Sequence, residues 1–534
     1  MNFVPHKCVC HGRNRQLGAA LLLSLTLMGL LVAIFVVILT NDLVRENYRR
    51  QLTTIALAKA KEALIGFAAS VNLSGACGSP TNNCVRPGDL PCPDLNDNGE
   101  ADDGACSDAS SGNQEKRIGR LPWKTLGLPD LRDGNGERLW YAVSNNFQNS
   151  VRTICLTPGD AGCLNSETPG TITVSDRNGV VIHDGQDPNP PSGLVAIIIA
   201  PGPALVRDDT GSTQDRSCSG GSCDAQGVCT SSPASLTAKC NPVNYLDVVS
   251  GGEDNANFTD GSSYDGFING PILAAGNNSV LVNDTLLPIK YEDVMPLLER
   301  RVAKEALNCI SNYGAVNKRF PWAAGITESA SSSTYQSKAG ERFGRIPDSF
   351  GITLLDTVSL TDPFLASLLS PICSAPLTAG LCATPTWATV PACNIPNGGW
   401  WRNWKDQVFY ATSAANKPLV SVDLFPTLQI GFSIEASCAP TGNCMTVNPT
   451  AGADKRAVVI VAGRPLASTT PPQPQKTYVD PPAPPTASVR NRANAQHYLE
   501  GINAGPASTP AAPSNFTFQQ SPWSTTFNDT VLYQ

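Results

Sequence analysis

Ala60-Lys61-Glu62-Ala63-Leu64 returns far downstream as Ala303-Lys304-Glu305-Ala306-Leu307. Reading outward from this pair, five further segments recur in the same order. Arg117-Ile118-Gly119-Arg120-Leu121-Pro122 matches Arg342-Phe343-Gly344-Arg345-Ile346-Pro347, and Leu139-Trp140-Tyr141-Ala142-Val143-Ser144 matches Val408-Phe409-Tyr410-Ala411-Thr412-Ser413. The apolar run Val195 to Ala200 pairs with Val458 to Ala462. Tyr245-Leu246-Asp247 pairs with Tyr498-Leu499-Glu500, and Asn283-Asp284-Thr285 with Asn528-Asp529-Thr530. Matches that keep their order mark a duplicated unit. The sequence predicts a first module over 41–290 and a second over 291–534, with a Pro-rich insert at 468–485 that cannot form a regular element.

Each copy opens on a helix, continues through a cysteine-bearing loop and then enters strands. Val44, Tyr48, Leu52, Ile55, Leu57, Ala58, Leu64 and Ile65 recur near helical spacing with basic residues mostly between them. The second helix is expected from Tyr291 to about Asn312, with Pro296 in its first turns, where a missing amide donor is tolerated. Strands are expected at Arg138 to Ser144, Gly193 to Ala200, Gln407 to Thr412, Thr427 to Glu435 and Ala457 to Ala462. The runs Val195 to Ile199 and Val458 to Val461 are continuous and rich in β-branched residues, as in strands covered on both faces.

Ahead of the first module, Gln16-Leu17-Gly18 leads into Ala19-Ala20-Leu21-Leu22-Leu23 and an apolar run ending near Leu39. Lys7, Arg13 and Arg15 precede the run. About 20 apolar residues suffice to span a bilayer as a helix, and basic residues on the leading side place that side in the cytoplasm. A secretory signal would carry a small-residue cleavage site after its apolar core. Here Thr40-Asn41-Asp42-Leu43 follows, and the Gly lies before the core instead.

A Gly ending a basic leader, followed by a retained apolar helix, resembles the type IV pilin and type II secretion pseudopilin superfamily. The resemblance covers roughly the first 70 residues. It implies cleavage between Gly18 and Ala19 by a prepilin peptidase, a leader over 1–18 and a transmembrane helix over 19–40. The family usually has Glu at the fifth mature position, where this chain has Leu23. A carboxylate in hydrocarbon needs a partner, so a subunit with nothing above it needs none. The departure favours a minor or tip subunit over a major one. The implied fold is α+β: a long N-terminal transmembrane helix continues into a tandem pair of pilin-like modules, each a helix packed on an antiparallel sheet. The whole is disulfide- and loop-rich.

Composition sets the remaining bounds. At 534 residues the chain can build two cores, and its net charge of −7 with scattered basic residues argues against nucleic acid. Gly (45) and Pro (43) are abundant enough to predict a loop-rich exterior. Of 18 cysteines, only Cys8 and Cys10 lie in the leader. The even remainder in polar settings fits an oxidising compartment. Close spacing pairs Cys77 with Cys84, Cys92 with Cys106, Cys155 with Cys163, Cys373 with Cys382, and Cys438 with Cys444. Cys218, Cys223, Cys229 and Cys240 admit three pairings, and Cys309 with Cys393 remain for a long-range bridge.

The strongest chemical motif is Asp94-Leu95-Asn96-Asp97-Asn98-Gly99-Glu100-Ala101-Asp102-Asp103. Oxygen ligands at alternate positions, then a Gly, then a carboxylate, is how a short loop wraps Ca²⁺. Asp94, Asn96 and Asn98 would supply side-chain oxygens, Glu100 its carbonyl, and Asp102 or Asp103 the closing carboxylate; Ala105 stands where an EF-hand has Glu. The competing reading is a solvated turn cluster. The turn Asp130 to Glu137 reads as a turn alone, and among the tryptophans Trp400 and Trp401 are the candidates for ligand contact. No hydrolase, zinc-protease or phosphate-loop motif occurs, so no enzyme activity and no catalytic residue is expected.

Together these readings predict a minor or tip pilin-like subunit of a type IV pilus or type II secretion pseudopilus. It would sit single-pass in the inner membrane, N-terminus cytoplasmic and bulk periplasmic, or reach a pilus tip or cell surface. Its partners would be other pilin subunits, the prepilin peptidase and membrane lipid. The alternative is a signal-anchored, adhesin-like binding module that is neither cut nor assembled.

Overall fold

The computed structural model describes residues 14–70, 86–102, 106, 117–148, 163–185, 192–218, 223–224, 228–229, 239–257, 266–276, 278–329, 334–350, 355–356, 386–393, 395, 399–420, 438, 444–449, 452–466, 490–510 and 516–534. The first helix, α1, runs Asn14–Ser70. Strands β1 (Ile118–Arg120), β2 (Trp140–Val143), β3 (Thr173–Ser175), β4 (Val181–His183), β5 (Ala196–Ala200), β6 (Gly266–Ile268), β7 (Ile272–Leu273), β8 (Val280–Val282) and β9 (Thr285–Ile289) follow. Helix α2 spans Tyr291–Asn317. The second half carries β10 (Phe343–Arg345), β11 (Leu355–Asp356), β12 (Val408–Thr412), β13 (Leu419–Val420), β14 (Thr446–Asn448), β15 (Ala457–Val461), β16 (Thr517–Gln519) and β17 (Thr530–Tyr533).

Two four-stranded antiparallel sheets stand in correspondence. One has the order β1-β2-β5-β9, the other β10-β12-β15-β17. Their registers match at repeat-equivalent residues: Ile118 faces Ala142 as Phe343 faces Ala411, and Ile199 faces Leu286 as Ile460 faces Val531. Side chains of β5 and β15 are buried along their whole length, which explains their unbroken apolar composition. A smaller set repeats as well, with β3 parallel to β6 and β14 parallel to β16.

One apolar core joins the sheets through the two helices. Ala56, Leu57, Ala60, Leu64 and Ala68 of α1 and Val294, Met295, Leu298, Val302, Ala303 and Ala306 of α2 are all buried in it. Lys61 Nζ reaches Asp293 at 2.7 Å and the Pro288 carbonyl at 3.0 Å, pinning the helices where the first module ends. Helix α2 continues past the expected end to Asn317, and Lys318 stops it with φ +64°. A left-handed residue there closes the last turn without Gly.

Two expectations are corrected. First, among the described residues no helix is long and apolar enough to cross a membrane, so the transmembrane helix over 19–40 and the single-pass inner-membrane placement fall. The described apolar side chains run Leu21–Val32. The side chains of 33–43 lie outside the described residues. Second, the architecture is mixed α and β built from several small sheets, so each four-stranded antiparallel sheet is accompanied by two- and three-stranded ones rather than standing alone under its helix. Parallel pairs such as β11–β13 arise because long loops, rather than hairpins, connect their strands.

Candidate functional site

Helix α1 divides into two regimes. From Ala56 to Ala68 one face is sealed against β5 and β9, while Leu21 to Val32 stands in solvent. Its large apolar side chains are 55% to 72% exposed, including Leu23, Leu27, Met28 and Val32. No charged residue interrupts the run. Ser24 and Thr26 turn their hydroxyls back onto the Leu21 and Leu23 carbonyls, both at 2.9 Å, leaving them no demand for an outside partner. Contiguous exposed apolar patches of this kind mark sites of contact with protein, ligand or membrane.

A collar grips the helix between those regimes. The turn Asp130 to Gly136 lies against α1 so closely that a Cβ at Gly134 would overlap the Arg49 backbone. Gly134 N–H donates to Thr53 Oγ1 at 2.9 Å. Asp133 accepts the N–H groups of Asn135, Glu137 and Gly202, tying the turn to the end of β5. Burial pushes the Asp133 carboxyl above its usual range, although those three donors oppose the shift.

Arg138 links the collar to the acidic loop. It donates to Asp130 at 2.9 Å and to Asp97 at 2.7 Å. Burial works against the Arg138 charge, but the two carboxylates outweigh it and hold the guanidinium protonated beyond its ordinary range. Asp130 is drawn below its usual range by Arg138 and Arg132 against the opposing effect of burial. Asp97 also meets Lys239 at 3.2 Å, so this carboxylate is spoken for by cations of the protein.

The loop 94–102 closes on itself around Asp94. That carboxylate accepts the N–H of Asn96 (3.2 Å), Asn98 (3.2 Å) and Gly99 (2.7 Å). Asn96 Oδ1 accepts Asn98 N–H and Asn98 Oδ1 accepts Glu100 N–H. Asp102 accepts Leu95 N–H at 2.7 Å, and Asn96 Nδ2 lies 3.4 Å from its other oxygen. Gly99, at φ +88°, turns beneath the Trp123 ring where a Cβ has no room. Burial pushes Asp94 up to about 6, with the Asp97 and Asp102 charges adding to the effect. The donors are hard oxygens in the order a Ca²⁺ loop requires, and a divalent ion would relieve that repulsion. Among the described residues no group of three or more His, Cys, Asp or Glu is placed to hold a metal; Asp103 lies outside them.

The other expected site residues fall as follows. Gly18 and Ala19 belong to the first turns of α1, with their side-chain surroundings outside the described residues. Cys92–Cys106 and Cys438–Cys444 are bridged; the first staples the acidic loop. Cys218–Cys223, Cys229–Cys240 and Cys309–Cys393 settle the open pairings. Cys77, Cys84, Cys155, Cys373 and Cys382 lie outside the described residues, and Cys163 is disulfide-bonded. Trp400 and Trp401 are buried, the latter donating to Asp348, which removes them as a ligand platform. Sequence reasoning missed the collar, because a turn rich in Gly and Asp reads the same in solvent as against a helix. The place of Arg138 directly after the Asp130 to Glu137 turn was the available signal.

No family model, no curated protein and no solved structure matches this chain.

Proposed function

We propose that the chain is a minor, tip-type subunit of a pilin-like filament, joined to its neighbours by the exposed apolar part of α1. The single observation carrying this reading is the change of regime along one continuous helix. The stem is sealed into the head from Ala56 onward, while Leu21 to Val32 offers uncharged apolar side chains to a partner helix. Burying such side chains contributes about 1.5–3 kcal/mol each. Leu23 in place of the usual acid, and a head built of two related sheets, support a terminal rather than a repeating position. The acidic loop and its disulfide would serve as a brace for the collar, with Ca²⁺ as its structural ion.

The test is the intact and N-terminal peptide mass of the protein recovered from its native source. A mature chain beginning at Ala19 supports filament assembly. A chain that keeps its leader through Gly18 overturns it and leaves an unassembled binding module.

A further inference from the structure

The two sheets are closed by the same buried acid network. In the first module Asp284 Oδ2 accepts the Asp247 N–H at 2.8 Å and the Asn255 amide at 2.8 Å. Asp247 Oδ2 accepts the N–H groups of Asn283 (2.7 Å) and Asp284 (3.3 Å). In the second, Asp529 Oδ2 accepts the Glu500 N–H at 2.9 Å and the Asn503 amide at 2.9 Å. Glu500 Oε2 accepts the N–H groups of Asn528 (3.1 Å) and Asp529 (2.9 Å). Even the outer bonds repeat: Asn255 takes the Ile268 N–H as Asn503 takes that of Gln519.

Each network ties a short helical turn, Pro242–Asn244 or Ala495–His497, to the start of the last strand of its sheet, β9 or β17. Asp284 and Asp529 are buried, and in both the second oxygen, Oδ1, has no hydrogen-bond partner. Two carboxylates this close in a dry site cannot both ionise cheaply. A metal ion is a poor alternative occupant, since among the described residues no group of three or more suitable ligands forms.

We propose that each module keeps one proton on its acid pair, Asp247/Asp284 and Glu500/Asp529, as a latch that holds its last strand closed. Both pairs lie under similar but unequal fields. Arg216 faces the first pair and favours its charged form. In the second module the buried Glu299 of α2 faces Glu500, with Arg490 and Arg464 on the same side. Burial pushes Asp247 up to about 6 and raises Asp284 and Asp529 well above the carboxylate range, with the Asp247 charge adding to the effect at Asp284 and the Glu500 charge at Asp529. The folded chain therefore binds these protons more tightly than the unfolded one. Stability from the latch is full below the unfolded carboxylate range and is lost as pH rises through the folded values.

Infrared spectroscopy of the full chain at neutral pH tests this, with Asp247→Asn, Asp284→Asn, Glu500→Gln and Asp529→Asn taken singly. The protonated-carboxyl absorption of the wild type is expected to lose one carboxyl's worth in D284N and again in D529N. The unfolding midpoint of each folded variant should also vary less with pH than that of the wild type. Variants that fold yet keep the full absorption and the full pH dependence overturn the proposal. Should either Asn variant fail to fold, the wild type still decides, since absence of any protonated-carboxyl absorption at neutral pH is equally fatal.

Discussion

The two modules share a sheet, a satellite pair of parallel strands and an acid pair, and they differ in what their helices do. Helix α2 has 27 residues, and buried positions recur along it from Tyr291 to Tyr313. Helix α1 has 57, and among its described side chains only the last stretch is sealed. At the position of Glu299 in α2, the repeat places Ala56 in α1. The acidic loop has no counterpart either: Asp94 bridges Arg120 as Ala324 bridges Arg345, but past Ala324 the chain carries Gly325-Ile326-Thr327. What recurs is what the fold needs to close a sheet. What stands in one copy alone (the free helix, its collar and the acidic loop) is where a separate function belongs.

The sharpest way to break this comparison is to charge the free part of α1. Leu27→Asp is expected to abolish recovery in filaments while leaving the unfolding midpoint of the isolated chain unchanged. A midpoint that falls instead would place Leu27 in a fold-supporting contact. Exchanging the helices' buried residues comes next. Ala56→Glu sets an unpartnered carboxyl into the stem and should cost on the order of 3–5 kcal/mol at neutral pH in a denaturation titration. Glu299→Gln should do the reverse in the second module. Burial, with the nearby Glu500 charge, raises the Glu299 carboxyl well above its range, so wild-type stability declines as pH rises and the variant's declines less.

Leu64→Ala, at a fully buried position, should cost about 2–5 kcal/mol, whereas Leu307→Ala at the partly buried equivalent should cost less. Equal losses would mean the two helices seat alike. Calcium sharpens the loop contrast. Saturating Ca²⁺ over chelator should stabilise the chain by about 2–3 kcal/mol at a hundredfold excess over Kd, and Asp94→Asn should abolish the rise. A flat response would leave the loop to its backbone hydrogen bonds. The smallest effect is expected at Arg50, whose pair with Glu46 at 2.9 Å is exposed on α1. Arg50→Ala should change stability by about 0.5 kcal/mol or less.

The strands legible in advance were the long buried ones. Val195 to Ala200 and Val458 to Ala462 announce β5 and β15 because burial on both faces demands an unbroken apolar run. Three-residue strands such as β1, β3 and β16 carry too few positions for a periodicity to register. The repeat of Arg117 to Pro122 marked the segment that forms β1 without identifying it as a strand. The expected membrane span has no counterpart: among the described residues no helix is long and apolar enough to cross a membrane. The expected strand at Thr427 to Glu435 lies outside the described residues.

The sequence by itself determined the duplication, the order of elements in each copy, the central strands and the Cys92–Cys106 and Cys438–Cys444 bridges, because these depend on residues near one another or on patterns repeated along the chain. Only the tertiary structure decided which half of α1 is sealed, that a Gly-Asp turn clasps it, and that Asp247 meets Asp284 as Glu500 meets Asp529. Those are contacts between residues tens of positions apart. Their energies come from burial and from charges brought close by folding, and neither quantity exists in a linear string of residues.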